Sequence, residues 1–396
     1  MPDESRDALD RRDFMISSLA TVGTSAVLVT TTEAADAQTA AIPAAPLRGT
    51  IYTGDVIQGK KVVSALDVDD LTPGQKHLLY FQGVQMPTGQ SWHVSVIVVK
   101  GARPGKRVAL ISGVHGDEIS SVHTVQNVMN QLDPADMSGT VLAVLDVSRP
   151  ALEGMQRRWP GSGRGIDLID MNREWPGNEN DASAPSRHAG ILFNRLLKPN
   201  ADVALDFHTG TTGTDITAFH LARMDIPEVK AMAELYPIDQ IFDNAGYPGL
   251  LSNALLEVGI PSFTPEIGNS RILDFDKIAL FVEGTMNVLK HHGVIAGPMG
   301  RTGKDSDIFI GNSMFPVLAT HGGFVELLVK LNEKVKAGQK VAVQRNTFGE
   351  IVAEYTSSVD GEVGALRSDA TSEPGNGLVF IIFNHTPSEG QRVYPE

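Results

Sequence analysis

The sequence predicts an α/β fold, a mainly parallel mixed sheet flanked by helices, followed by a small C-terminal β domain. Three observations carry this. Short apolar runs alternate with helical patterns between residues 107 and 291, the order expected of parallel strands joined by crossover helices. A Gly-rich, charged stretch at 297–307 (GPMGRTGKDSD) then ends the alternation. Beyond it come only short strand-like runs separated by Gly turns, which reads as a compact all-β unit.

Taken from the start, residues 1–37 read as an export signal. Arg11-Arg12 precedes Phe14, a mildly apolar run covers 16–30, and Ala35-Asp36-Ala37 offers a small-x-small cleavage site. The run is too short and too polar to span a membrane comfortably. The three features in this order look like a twin-arginine signal, so the mature chain is expected in the periplasm or secreted, with no stable membrane insertion. Residues 39–47 are Ala/Pro-rich and read as a linker.

Residues 48–300 form the expected α/β domain, beginning with a strand-rich part. Residues 61–66 (KVVSAL) and 93–99 (HVSVIVV) carry β-branched runs. Residues 107–114 (RVALISGV) and 140–147 are short apolar runs expected as buried strands, with helical spacing at 119–132 between them. A helix is expected over 185–197, a strand over 201–207 (ADVALDF), and a long helix over 276–291. Residues 308–396 form the β domain, with strands expected at 323–328, 340–343, 349–353 and 378–382.

Composition narrows the function. Hydrophobic residues make up 42% of the 396 positions and charged residues 20%, as in a folded globular protein. The net charge is -14, and the chain shows none of the basic excess of a nucleic-acid binder. The signal holds seven acids and three arginines, so its removal leaves the mature chain near -10. With no cysteine, thiolate nucleophiles and cysteine metal sites are excluded, and any metal must be held by His, Asp or Glu. There is no GxSxG elbow, HExxH helix, P-loop or GxGxxG after a strand.

Four short motifs remain. His115-Gly116-Asp117-Glu118 sits where an expected strand turns into a helix. His208, in Asp206-Phe207-His208-Thr209-Gly210, ends another expected strand. Two His and one Glu with an open fourth position suit a catalytic zinc ion, and Asp206 is placed to orient His208. Asn172-Arg173, in a Gly/Pro-rich loop (DMNREWPG), suits a carboxylate. Glu266, in Thr264-Pro265-Glu266-Ile267-Gly268 at the end of an apolar run, is either paired with an arginine or poised as a general base. Arg157, Arg158 and Arg164 add positive charge upstream. His123 is read as structural. His291-His292 ends a helix, where a cation meets the dipole favourably.

VHGDE, DMNREWPG, DFHTG and TPEIG, in this order, resemble the succinylglutamate desuccinylase/aspartoacylase family, a branch of the zinc carboxypeptidase-like (M14) proteins. The likeness covers roughly residues 105–385. It implies one zinc ion per chain on His115, Glu118 and His208, Glu266 as general base and then acid, and Asn172 and Arg173 as substrate-carboxylate ligands. It also implies an oxyanion-stabilising arginine before DMNR, where Arg157 fits best and Arg158 is the alternative. In the β domain, GQKV at 338–341 and DGEV at 360–363 are similar to the family's barrel-sandwich domain, without a modified-lysine motif. That points to a cap over the site.

The implied activity is hydrolysis of an amide next to a carboxylate in a small substrate, above all deacylation of an N-acyl amino acid. An exported carboxypeptidase acting on peptide or cell-wall peptide C-termini is the nearest alternative. A catalytically inactive binding protein is the alternative of another class, and the intact set of ligands with Glu266 argues against it. The oligomeric state is left open.

Overall fold

The computed structural model describes residues 49–161, 167–244 and 246–385. The export signal expected at 1–37, the linker and Arg164 lie outside them.

The described residues begin with five strands: β1 (Ile51–Ile57), β2 (Lys60–Ala65), β3 (Gln75–Gln85), β4 (Ser91–Lys100) and β5 (Arg103–Ile111). Then follow α1 (Ile119–Gln131), β6 (Ser138–Val144), α2 (Arg149–Glu153), β7 (Trp159–Gly161), β8 (Asp167–Ile169) and α3 (Ala184–Leu192). The middle holds β9 (Val203–Asp206), β10 (Thr214–Ile216), β11 (Ala218–Ala222), α4 (Pro227–Ala233), β12 (Gln240–Asp243), α5 (Leu251–Glu257), β13 (Ser262–Ile267) and α6 (Phe275–His291). The remainder is β14 (Phe309–Gly311), β15 (Ser313–Leu318), β16 (Gly323–Leu327), β17 (Lys334–Val335), β18 (Lys340–Arg345), β19 (Ile351–Thr356), β20 (Gly361–Arg367), β21 (Thr371–Ser372) and β22 (Gly377–Phe383).

Eleven strands form one mixed sheet in the order β1-β2-β3-β4-β6-β5-β9-β13-β11-β12-β14. Its centre is parallel: β5 pairs with β6 and β9, and β9 with β13. The apolar runs explain why. Val108, Ala109, Leu110 and Ile111 are all fully buried, so β5 is covered on both faces, as parallel strands are. Alternate side chains divide between two cores. Ala109 and Ile111 join Leu192, Leu251 and Leu255 of α3 and α5 on one face. Val108 and Leu110 join Val128, Met129, Phe281 and Leu289 of α1 and α6 on the other. Each of these Val, Leu, Ile, Met and Phe side chains contributes about 1.5–3 kcal/mol relative to exposure.

The helix expected over 185–197 is α3 followed by one wide π-turn at Phe193–Leu197. The Leu66 amide donates to Arg195 O at 3.0 Å. The wider turn leaves that carbonyl to a partner outside the helix.

After α6, β14 adds to the edge of the main sheet beside β12. The chain then builds two antiparallel sheets, β10-β20-β22-β15 with β17 on β20, and β19-β18-β16-β21. Val341, Val363, Leu378 and Ile381 are buried between them in a third core. The first of these sheets borrows β10 from the α/β part, with Thr214 opposite Arg367 and Ile216 opposite Ala365.

Candidate active site

The site grows from the carboxyl ends of β5, β9 and β13, where ligands gather in parallel sheets. After β5 the chain turns through His115 and enters α1 at Glu118. Gly116 makes this turn possible, because a Cβ there would sit 2.0 Å from the Ala151 backbone at α2. Glu118 occupies the N-cap position of α1 but makes no capping bond with its side chain. Its carboxylate is committed to the site instead.

β9 delivers His208, and β13 delivers Glu266 beside it. The two form an isolated parallel bridge three residues past the last β9–β13 pair. Bridged residues project to the same face of a sheet, so Glu266 stands next to the cluster around His208.

His115, Glu118 and His208 converge and are nearly sealed, at 3%, 1% and 2% exposure. His115 Nδ1 lies 2.7 Å from Glu118 Oε1, His208 Nδ1 lies 2.8 Å from Glu118 Oε2, and the two Nδ1 atoms are 3.1 Å apart. His115 Nε2 faces Asp170 Oδ1 at 2.9 Å. With its proton on that nitrogen, the ring turns a lone pair from Nδ1 toward Glu118 and His208. Acceptors this close repel one another unless a cation lies between them. The surrounding charge has the same need: Glu118, Asp170, Asp206 and Glu266 gather here around the guanidinium of Arg157. Two imidazole nitrogens and a carboxylate are the donor set of a zinc ion with an open position, so the residues present fit one.

The next layer holds this set in place. Asp170 also accepts from the Asn172 amide at 2.9 Å and from Arg157 Nη2 at 3.4 Å. Burial opposes its charge, but the His115 bond and the Arg157 charge outweigh it and hold its pKa far below the usual carboxylate range. Arg157 Nη1 donates to Glu118 Oε1 at 2.7 Å, and the Thr209 amide donates to Oε2 at 3.1 Å. Burial raises the Glu118 pKa, and the two histidines more than reverse this. For His208, burial disfavours the cation, while Asp206 and Glu118 prevail and raise its pKa well above 6.5. Asp206 Oδ2 lies 3.2 Å from His208 Nε2, off the hydrogen-bonding direction, and neither of its oxygens has a hydrogen-bond partner.

Glu266 is half-buried, and its Oε2 is sealed without a hydrogen-bond partner. Burial pushes its pKa up to about 8; His208 and Arg157 pull it down, while Glu118 and Asp206 push it further up. A carboxyl group raised this far can carry a proton near neutral pH and also release one.

Asn172 is buried, with its Oδ1 accepting from the Leu251 amide at 3.0 Å and its Nδ2 placed 3.2 Å from His208 Nε2. Both ends of its amide are thus occupied within the protein. Arg173 is exposed, with Nη1 donating to Asn172 O at 2.7 Å and its guanidinium 4.7 Å from the centre of the Tyr247 ring. Gly249, at φ +78, passes so close that a Cβ would fall 2.3 Å from Arg173 O. Of the two neighbouring arginines, Arg157 reaches the cluster and Arg158 is exposed.

Asp170 received no role from the sequence: an Asp heading the DMNR turn can support a metal-bound histidine, but its partner lies 55 positions away. A second unforeseen contact is Arg271, which donates to Met155 O at 3.0 Å, two residues before Arg157. His188, also without an assigned role, is a structural residue. It is fully buried, accepts from the Val84 amide at 3.2 Å and donates to Val147 O at 2.9 Å.

Comparison with known proteins agrees with this arrangement. Residues 104–292 match the succinylglutamate desuccinylase/aspartoacylase catalytic domain. The chain is 27% identical over 301 residues to N-alpha-acetyl-L-2,4-diaminobutyric acid deacetylase of Halomonas elongata, covering 73% of this chain and 85% of that protein. Its fold is that of a succinylglutamate desuccinylase/aspartoacylase from Rhodobacter sphaeroides, with TM-score 0.70, 22% identity and coverage of 81% and 98% of the two chains. A product-bound ectoine utilization protein, EutE (DoeB), from Ruegeria pomeroyi shares the fold at TM-score 0.69 and 21% identity, over 79% and 96% of the two chains. The four motifs, their convergence at the strand ends and the family match together identify residues 104–292 as a succinylglutamate desuccinylase/aspartoacylase catalytic domain.

Proposed function

We propose that this protein hydrolyses the amide bond of an N-acyl amino acid, with a zinc ion held by His115, Glu118 and His208. The observation that carries the reading is the meeting of two imidazoles and one carboxylate within hydrogen-bonding distance, with Glu266 one backbone bridge from His208. The family and the Halomonas deacetylase support amide hydrolysis as the reaction class.

When bound, zinc supplies Lewis acidity, polarising the scissile carbonyl and making water acidic enough to attack near neutral pH. Glu266 takes the proton of the attacking water and then delivers it to the leaving nitrogen. Its raised pKa suits both steps. Arg157, already beside Glu118, carries the positive charge that stabilises the developing oxyanion. Asp170 holds His115 in the tautomer that presents Nδ1 to the ion. Arg173 holds the substrate carboxylate, and Asn172 fixes His208 while shaping the same subsite. The paired arginines and apolar run of the N-terminal segment support export by the twin-arginine route.

The test is a panel of N-acyl amino acids and short peptides with free C-termini, assayed with zinc-loaded and chelator-stripped protein. Zinc-dependent release of the acyl group from acyl amino acids is expected. Cleavage of peptides alone selects the carboxypeptidase. Zinc binding with no turnover of either class selects the binding protein.

A further inference from the structure

A second group of metal-type donors lies at the other end of α6. His291 is the last residue of that helix, and His292 follows it, its amide donating to Val288 O at 3.1 Å. Glu228 stands in the first turn of α4. One donor atom from each of Glu228, His291 and His292 lies within 4.8 Å of the other two.

The state of His292 is the informative one. Its side chain is 5% exposed, its Nε2 has no hydrogen-bond partner, and its Nδ1 is 3.8 Å from Glu228 Oε1. That gap is too long for a hydrogen bond. It fits two ligands of one ion, since bonds of about 2.0–2.2 Å place a nitrogen and an oxygen roughly 3–4 Å apart. Burial and the neighbouring His291 lower the His292 pKa, Lys106 adds to this, and Glu228 and Asp202 oppose it. The negative end of the dipole of the 17-residue α6 also favours a positive charge here.

We propose that Glu228, His291 and His292 form a second binding site for a divalent transition-metal ion of the zinc class, which fastens the end of α6 to the start of α4. Imidazole and carboxylate donors together suit zinc and its borderline neighbours. The role is structural. α6 begins beside the catalytic loop, where the Arg271 amide donates to Asp117 O at 2.7 Å. At 1.5 Å per residue the helix then carries His291 about 25 Å away. Three protein ligands, one of them exposed, leave positions for water, so this site releases its ion more readily than the buried cluster.

Equilibrium dialysis tests it directly. Wild-type, His291→Ala and Glu228→Gln proteins are stripped with chelator and dialysed against micromolar free Zn2+, and bound zinc is counted. Wild type is expected to hold one more zinc per chain than either variant, and zinc is expected to raise its Tm further. Hydrolytic activity should be the same in all three. Equal zinc content in wild type and both variants overturns the proposal, as does an equal zinc-induced rise in Tm.

Discussion

His208 and Glu266 share one parallel bridge: the His208 amide donates to Pro265 O at 2.8 Å, and the Ile267 amide donates to His208 O at 2.9 Å. A metal-type ligand and the proposed proton carrier are therefore spaced by a sheet ladder, about 4.8 Å between strands. Their separation is set by backbone hydrogen bonds inside the largest sheet, where loop motion has little leverage. Glu266 can be altered without moving the ligand beside it, which makes its role separable. Glu266→Gln should lower kcat by about 10²- to 10⁴-fold, the usual weight of general acid–base catalysis. Zinc content should stay at the wild-type level. Turnover at the wild-type rate removes Glu266 from the chemistry.

Asp170 is predicted to act through His115. Asp170→Asn removes the charged acceptor of His115 Nε2 and one partner of Arg157. Loss of such a supporting carboxylate typically costs about 10- to 100-fold in metal affinity or activity. Competition with a chelator reads the affinity directly, and an unchanged affinity means that Asp170 does not tune the ligand.

Removing the metal should also weaken the fold. Without an ion, the nearly sealed His115, Glu118 and His208 lose the cation that would join all three. A ligand present at a thousand times its Kd stabilises the native state by about 4 kcal/mol. Calorimetry of stripped and reloaded protein should show a clearly lower Tm for the stripped form. Matching Tm values mean that the cluster holds no ion.

Acid stability should depend on His188. Burial lowers its pKa from 6.5 to about 4, only partly offset by its bond to Val147 O. Protonating Nδ1 would also forfeit the bond from the Val84 amide. The folded-state pKa is below the unfolded one, so the unfolded chain binds more protons between these values. The stabilisation is complete above about pH 6.5 and is lost as pH falls toward 4, by on the order of 3 kcal/mol. His188→Gln should shrink the fall in unfolding free energy across that window, whatever its effect at pH 8. A slope identical to wild type assigns the acid limb to other groups.

Arg173 is predicted to govern substrate binding more than the chemical step. Arg173→Ala should raise KM for carboxylate-bearing substrates, with a loss of about 1.5–3 kcal/mol in transition-state binding. Arg173→Lys should recover only part of this, because an ammonium cannot make two parallel bonds to a carboxylate. A fall in kcat at unchanged KM would place Arg173 elsewhere in the mechanism.

Much of this was legible in the residues themselves. The runs at 107–114, 140–147 and 201–207 announce buried strands because both faces are apolar, and β5, β6 and β9 follow them. His115, Glu118 and His208 could be placed together because each follows such a run. Less legible was whatever depends on partners distant in sequence. Nothing local in Asp170 shows that it meets His115 across 55 positions, and nothing in His188 shows that Gly83 makes room for its ring. The pairing of β10 with β20 escaped for the same reason, since three residues of strand carry almost no periodicity of their own.

That pairing ties the mouth of the site to the far end of the sequence. Within eight positions after His208, the Thr209 amide reaches Glu118, Thr212 bonds Asp117, and Thr214 to Ile216 zip against the terminal sheet. Deleting the chain from β20 onward would strip this segment of its anchor and slacken the grip on Glu118. β20 therefore serves as a distant brace for the cluster, and an activity assay would register its removal as readily as a melting curve.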